Sequence, residues 1–402
     1  MKTQVDAGGS DPVYWDPYRP DLGRDPYPTF RRMREEAPLY YNKEYDFYAL
    51  SRYSDIDTHF GNVEVFSSAR GDVLEFIKED FEIPRGMFIW EDPPLHTVYR
   101  KVVTGIFTPR RMNDLKEKVR DYTARCLDPC VGTGRLDFIA DLGAKLPGGV
   151  IGMLLGIPDE DRDTIRGRVD AALRTEEGKP MEVSQTSYKG EGFEDYVDWR
   201  AKNPSDDLMT LLLQVEFEDE TGTRRKLTRD EVLVFVNVLA GAGNETTARL
   251  IGWIGKVLGD HPEQRRQIAQ NPSLVPAAIE EILRFEPVGP SVARHVRKDV
   301  EIHGRLVPAG SAMLFLLASA NRDESRFPDG ERFDIHRQGQ PHMTFGRGIH
   351  VCLGSALARV EGRVAMEEIL KRFPEWTVDA DNAKLSSSSS TRGWETLPVF
   401  IP

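Results

Sequence analysis

The sequence predicts a mainly α-helical fold with a smaller β-rich lobe near the N-terminus. Two observations carry this. The run from Leu227 to Gly259 is long and mostly apolar, longer than an ordinary globular helix, and helix-length stretches separated by Gly and Pro lie on both sides of it. Short strand-like stretches bounded by turn residues fall near residues 39–50, after Pro287 and at the C-terminal end.

In chain order, residues 1–25 form an extended arm rich in Asp, Pro and Tyr. A helix is expected at Tyr27–Glu36, strands near Leu39–Tyr41 and Phe47–Leu50, and a helix at Tyr53–Phe60. Residues 70–92 mix Gly, Pro84 and the aromatics Phe76, Phe81, Phe88 and Trp90, the pattern of a loop. Three helices follow between His96 and Gly156, broken near Pro109, at Gly132–Gly134 and at Gly156–Pro158. Asp159–Leu173 and Phe193–Lys202 are two more, joined by the polar stretch Thr175–Glu191, which is expected to be the mobile joint of a lid. After the long helix come helices at 262–270 and 273–286, then short strands, then an irregular meander over 321–342. A cysteine loop, a last long helix over Ser355–Phe373 and terminal strands at Trp376–Val378 and Leu397–Ile401 finish the chain, with the serines 386–390 placed in a hairpin at a pocket edge. We expect one domain over 1–402, with β-containing regions near 38–68 and 288–320 plus 376–402, and helical regions over 94–286 and 353–373.

Composition narrows the function. The chain has 402 residues, 40% of them hydrophobic, and a net charge of −12, which argues against nucleic-acid binding because that requires basic patches. Its three cysteines make no disulfide framework and fit a reducing, cytoplasmic setting. Cys126 and Cys130, four apart on a helix, read as packing residues. The polar N-terminus carries no signal peptide pattern, and no unbroken apolar run suggests a membrane span.

Four motifs carry chemistry. In Phe345-Gly346-Arg347-Gly348-Ile349-His350-Val351-Cys352-Leu353-Gly354, glycines let the backbone approach the sulfur, and the helix that follows offers its positive end to a thiolate. A thiolate, rather than a thiol, is the form that binds metal. On its own, a cysteine in such a loop is more often a buried structural residue. In Ala242-Gly243-Asn244-Glu245-Thr246, polar groups and glycine interrupt an apolar helix, at a cost that suggests function. Glu281 and Arg284, three apart, share a helix face and can pair. His96 and Arg100, four apart after Asp92-Pro93-Pro94, point to one side of a helix.

Taken together, in this order and spacing, these motifs resemble the cytochrome P450 family, from Phe66-Ser67-Ser68-Ala69-Arg70 to Arg392-Gly393-Trp394. The resemblance implies a triangular helical prism around a buried haem b (iron protoporphyrin IX), with Cys352 as the axial iron ligand. It implies that Phe345, Gly346 and Gly354 shape the sulfur's surroundings, and that His96, Arg100, Arg294 and His350 hold the haem propionates. Ala242 and Gly243 would leave room for O2, Glu245 would deliver protons, and Thr246 would hydrogen-bond the reacting oxygen. Glu281 and Arg284, with Arg332 as third partner, would lock the meander structurally. The implied activity is O2-dependent monooxygenation of a small apolar organic substrate, with electrons ultimately from NAD(P)H through a ferredoxin-type donor and its reductase. The basic residues Arg110, Arg111, Lys116, Arg347 and Arg359 would dock that donor. Substrate contacts would come from 73–90, 168–190, 235–246, 288–292 and 390–394. An H2O2-driven peroxygenase of the same fold, or a non-catalytic haem-based sensor, are the alternatives. The Glu245–Thr246 pair argues against both.

Overall fold

The computed structural model describes residues 12–79, 81–158, 161, 178–181, 192–386 and 390–402. Its spine is the central helix Arg229–Asp260. Thr228 opens it: the Thr228 hydroxyl accepts from the Glu231 N–H, and the Glu231 carboxylate accepts in return from the Thr228 N–H. Five glycines, Gly241, Gly243, Gly252, Gly255 and Gly259, weaken the helix by about 1 kcal/mol each. Burial outweighs this. Val232, Leu233, Val234, Phe235, Val236, Val238 and Leu239 are all buried, each contributing roughly 1.5–3 kcal/mol.

The glycines also set how closely neighbours pack. A Cβ on Gly255 would lie 2.5 Å from the Phe138 ring and one on Gly252 2.9 Å from Ile139 Cδ1, so the segment Phe138–Leu155 presses closely against the helix at these glycines. That segment is long and apolar enough to cross a membrane by length and composition, since Asp141 and Lys145 are its only charges, but 61% of it is buried within the fold. It is core of the main helical cluster. Cys126 and Cys130 lie in the same core as free cysteines, and burial pushes the Cys130 thiol up to about 11.

The β-rich lobe is built on a five-stranded sheet in the order Leu39–Asn42, Phe47–Leu50, Ala312–Phe315, Val292–Val296, Phe66–Ser67. Only the contact between Phe47–Leu50 and Ala312–Phe315 is parallel. Met313 stands opposite Arg294 in this ladder, which fixes where the Arg294 side chain emerges. A second sheet joins Thr377–Val378, Pro398–Phe400 and Arg135–Asp137.

Most elements fall where the sequence places them, Tyr27–Glu36 to the residue. The arm over 1–25 contains a helical turn, Pro20–Arg24, and the loop 70–92 contains a short helix, Leu74–Lys78. The span from His96 to Gly156 holds more than three helices: Leu95–Thr104, Pro109–Asp114, Lys116–Leu127 and Leu146–Leu155, with a π-helical turn at Phe138–Gly143. The hairpin Glu216–Glu218/Arg224–Lys226 was not expected. The helix expected at Asp159–Leu173 and the lid joint at Thr175–Glu191 lie outside the described residues, apart from Asp161 and residues 178–181.

Candidate active site

The cysteine loop is shaped by two backbone positions that only glycine takes easily. Gly346 and Gly348 have φ of +71° and +70°, and a Cβ on Gly348 would press to 3.2 Å on the Gly61 backbone. The Cys352 N–H donates to the Phe345 carbonyl at 2.8 Å, closing the loop just before the helix Ser355–Arg372. The N–H groups of Gly354 and Ser355 reach the sulfur and favour the thiolate, as do the nearby charges of Arg100 and Arg359, yet burial outweighs them and leaves the Cys352 thiol above its ordinary value. Cys352 is thus deep in the fold, while its own surface remains accessible. Phe345 is held under the Arg359 guanidinium, 4.5 Å from its ring centroid.

A group of two histidines and two arginines lies next to this loop. The rings of His96 and His350 are 4.2 Å apart. Among the described residues, neither nitrogen of His96, nor Nε2 of His350, has a hydrogen-bond partner, although all three atoms are buried. Burial, then Arg100, depresses His96 to about 4; burial, then Arg294 and His96, depresses His350 to about 2. Arg294 is buried, donates to the Ala293 carbonyl at 2.8 Å and lies over the Phe60 ring, and burial lowers it to about 10. Arg100 donates to the Val351 carbonyl. Buried polar atoms are nearly always paired, and buried charge costs several kcal/mol unless it is compensated. Asp72 and Asp92 act on Arg294 without a direct ion pair, so two arginines and two neutral imidazoles with open nitrogens converge here, a donor set that fits a ligand bringing carboxylates.

On the central helix, Ala242 and Thr246 carry accessible surface on one face of an otherwise buried stretch, and the Thr246 hydroxyl donates to the Ala242 carbonyl at 2.8 Å. Gly243 is turned toward Ile151, where an added Cβ would make ordinary contact at 3.5 Å. Glu245 is buried and accepts from the Thr391 hydroxyl at 2.8 Å and from Arg249 at 3.4 Å. A cleft of about 1330 Å³ runs along this edge of the helix. Glu245, Arg249 and Trp253 line it, whereas Cys352, Thr246, His96, His350, Arg100 and Arg294 do not.

Glu281 and Arg284 form a buried pair, Nη2 to Oε1 at 2.7 Å and Nε to Oε2 at 2.8 Å. Arg284 also donates to the carbonyls of Asn321, Gly330 and Arg332. The expected third partner needs correction. The Arg332 side chain is two-thirds exposed and turns to Asp334, contributing only its carbonyl, and the guanidinium that reaches Glu281 is that of Arg337 at 3.2 Å. The meander turns at Arg332, which sends its side chain to solvent. Asn321 carries the clamp on to the cysteine loop: it donates to Thr344 Oγ1 and accepts from the Met343 N–H.

The expected basic face also needs correction. Arg347 pairs with Asp57 at 2.7 Å, and Arg359 chelates Glu280 at 2.7 and 2.9 Å. Lys116 lies 3.9 Å from Glu367. Arg110 and Arg111 are exposed on the helix Pro109–Asp114, which packs on the cysteine helix.

Residues 191–396 match the family model described as Cytochrome P450. A relative from Mycobacterium tuberculosis, named putative cytochrome P450 123, is 35% identical over 399 residues, covering 98% of both chains. The chain belongs to the cytochrome P450 family. The vitamin D(3) 25-hydroxylase of Pseudonocardia autotrophica is 34% identical over 385 residues, covering 94% of each. Among solved structures, a mutant of P450 EryK in complex with erythromycin B superposes with a TM-score of 0.83 at 30% identity, covering 94% of this chain and 96% of that one. The protein is therefore a P450 monooxygenase, a haem-iron enzyme that uses O2, and its family generally works with redox partners.

Three residues escaped the sequence reading. Arg249 stands one helical turn after Glu245, a spacing that could have flagged it. Thr391 and Arg337 lie in irregular segments that carry no periodic signal.

Proposed function

We propose that this P450 hydroxylates, or similarly oxidises, a small hydrophobic organic molecule. The observation that carries the site assignment is the convergence of Arg100, Arg294, His96 and His350 beside Cys352, with buried nitrogens of both histidines that have no hydrogen-bond partner among the described residues. In this reading these four hold the haem propionates and Cys352 ligates the iron, with Phe345, Gly346 and Gly354 around the sulfur. When bound, the haem supplies O2 activation. The protein's own part is positioning and proton supply. Thr246 Oγ1, now donating to Ala242, holds the proton at the reacting centre, Ala242 and Gly243 leave it space, and Glu245 feeds it. A hydrophobic substrate is supported by the relative named as a vitamin D(3) 25-hydroxylase.

Electrons come, in the same reading, from NAD(P)H through a ferredoxin-type donor and its reductase. Arg110 and Arg111 supply the basic contact, because Arg347 and Arg359 are engaged within the chain. A cytoplasmic location agrees with three free cysteines. The test is Thr246→Ala in a reconstituted assay that follows NAD(P)H, O2, peroxide and product together. Substrate binding and haem reduction should stay near the parent's, while electrons leak to peroxide. Unchanged coupling of product to NAD(P)H would make the distal motif structural. Insensitivity to Thr246→Ala and Glu245→Gln with H2O2 as sole oxidant would favour a peroxygenase, and absence of NAD(P)H-linked O2 consumption would favour a sensor.

A further inference from the structure

Glu245 lies where two faces of the central helix meet. One face carries Ala242 and Thr246; the adjoining one lines the 1330 Å³ cleft. Its carboxylate is held on the cleft side by two groups with a common anchor. Thr391 donates to Oε1 at 2.8 Å, and Arg249 reaches the same oxygen at 3.4 Å. Arg249 in turn donates to the Trp394 carbonyl and, at 2.9 Å, to Ser386 Oγ, so it grips both arms of the hairpin Lys384–Leu385/Trp394–Thr396.

The hairpin is fixed closely against the helix. A Cβ on Gly393 would lie 2.7 Å from Arg249 Cβ. Trp253 donates to the Arg392 carbonyl at 3.0 Å and stacks edge-on with Trp394 at 5.6 Å. The Arg392 N–H donates to the Val288 carbonyl at 2.7 Å. Residues 288–292 and 390–394 are both segments expected to touch substrate. The carboxylate's direction therefore depends on a hairpin that borders the expected substrate side, and its water-facing side is the cleft.

From this geometry we infer that Thr391 is a positioning residue for the proton relay: its hydroxyl, on a hairpin anchored by Arg249, holds the Glu245 carboxylate toward the cleft, which is the relay's solvent inlet. The inference rests on the relay reading of Glu245 and Thr246. The step it serves is proton transfer alone. A hydronium proton from bulk solvent, carried through the cleft, adds to the Glu245 carboxylate and leaves water behind; Glu245 gives a proton to Thr246 Oγ1 as Thr246 passes its own hydroxyl proton to the reacting centre, and the regenerated carboxylate returns to its Thr391 hydrogen bond.

The test uses holoenzyme of the parent and of Thr391→Val, Thr391→Ser and Glu245→Gln. Thr391→Val keeps the shape and removes the donor, and losing a hydrogen bond to a charged group changes occupancy about tenfold. Product formed per NAD(P)H should fall by about that factor in Thr391→Val and return in Thr391→Ser. The infrared carboxylate band of Glu245, assigned by its loss in Glu245→Gln, should shift in Thr391→Val without any turnover. Amide exchange over 384–396 and Tm should match the parent. Parent-like coupling and an unshifted band in Thr391→Val, with coupling lost in Glu245→Gln, would overturn the role of Thr391 and leave the relay standing. Unchanged coupling in both variants would overturn the relay itself. Loss in Thr391→Val with faster exchange, not rescued by serine, would make Thr391 a structural residue and overturn the inference.

Discussion

Glu281→Ala should be among the most damaging substitutions remote from the chemistry. Glu281 accepts from Arg284 Nε and Nη2, from the Asp334 N–H at 2.9 Å and from Arg337 Nε. Its side chain and that of Arg284 are only 4% and 3% exposed. Removing the carboxylate leaves the Arg284 guanidinium buried with carbonyl acceptors alone, and leaves the Asp334 N–H without its acceptor. Breaking one member of a buried pair costs about 3–5 kcal/mol, against a typical total stability of about 5–15 kcal/mol. The damage should reach the cysteine loop, because Asn321 receives Arg284 on its carbonyl and holds Met343 and Thr344 with its side chain. The assay is urea unfolding of holoenzyme, followed by far-UV circular dichroism and by haem absorbance. Haem should be lost at lower urea in the variant, together with the global transition. Asp198→Asn, which breaks an exposed pair with Arg229, serves as control and should leave the midpoint nearly unchanged. A loss below about 1 kcal/mol for Glu281→Ala, the scale of a surface pair, would refute the reasoning.

Three further outcomes are expected. Arg110→Glu combined with Arg111→Glu should slow haem reduction by a ferredoxin-type donor about tenfold at low salt, the difference shrinking as salt rises, and a salt-independent rate in parent and variant would count against docking there. Glu231 is held down to about 2 because hydrogen bonds from Arg225, Tyr99 and the Thr228 N–H overcome the effect of burial. A lowered folded value means stability that is present above the unfolded value of about 4.3 and is lost as pH falls toward 2, so the stability gap between parent and Glu231→Gln should be widest near neutrality and narrow below about pH 4. A gap that widens on acidification would reverse that sign. Arg249→Met should raise amide exchange across 384–396, because both arms of the hairpin lose their anchor; unchanged exchange would show that the tryptophan contacts suffice.

How much was legible follows from what each signal is made of. Tyr27–Glu36 announces itself because Tyr27, Phe30 and Met33 set an apolar residue at every third position, and Arg229–Asp260 because its apolar run is longer than an ordinary globular helix. The cysteine loop was legible because its glycines answer to steric demands, such as the Gly348 contact with Gly61, that leave little choice of residue. Arg332 was misassigned, with Arg337 in its place, because the meander has no period and side-chain direction there depends on each local turn. Arg347 and Arg359 read as free basic residues because their partners, Asp57 and Glu280, are distant in sequence. The hairpin Glu216–Glu218/Arg224–Lys226 has three charged residues on one strand and two on the other, so it shows no hydrophobic alternation at all. Thr391 is a single hydroxyl beside a serine run, and only the folded hairpin brings it to Glu245.

The most direct test of the central assignment is the absorption spectrum of the reduced carbon monoxide complex of Cys352→Ser beside the parent. The parent should give the thiolate-type Soret band of its family. Cys352→Ser should lose that band while keeping a haem bound through His96, Arg100, Arg294 and His350. A thiolate-type spectrum retained in Cys352→Ser would contradict the assignment of Cys352 as the iron ligand.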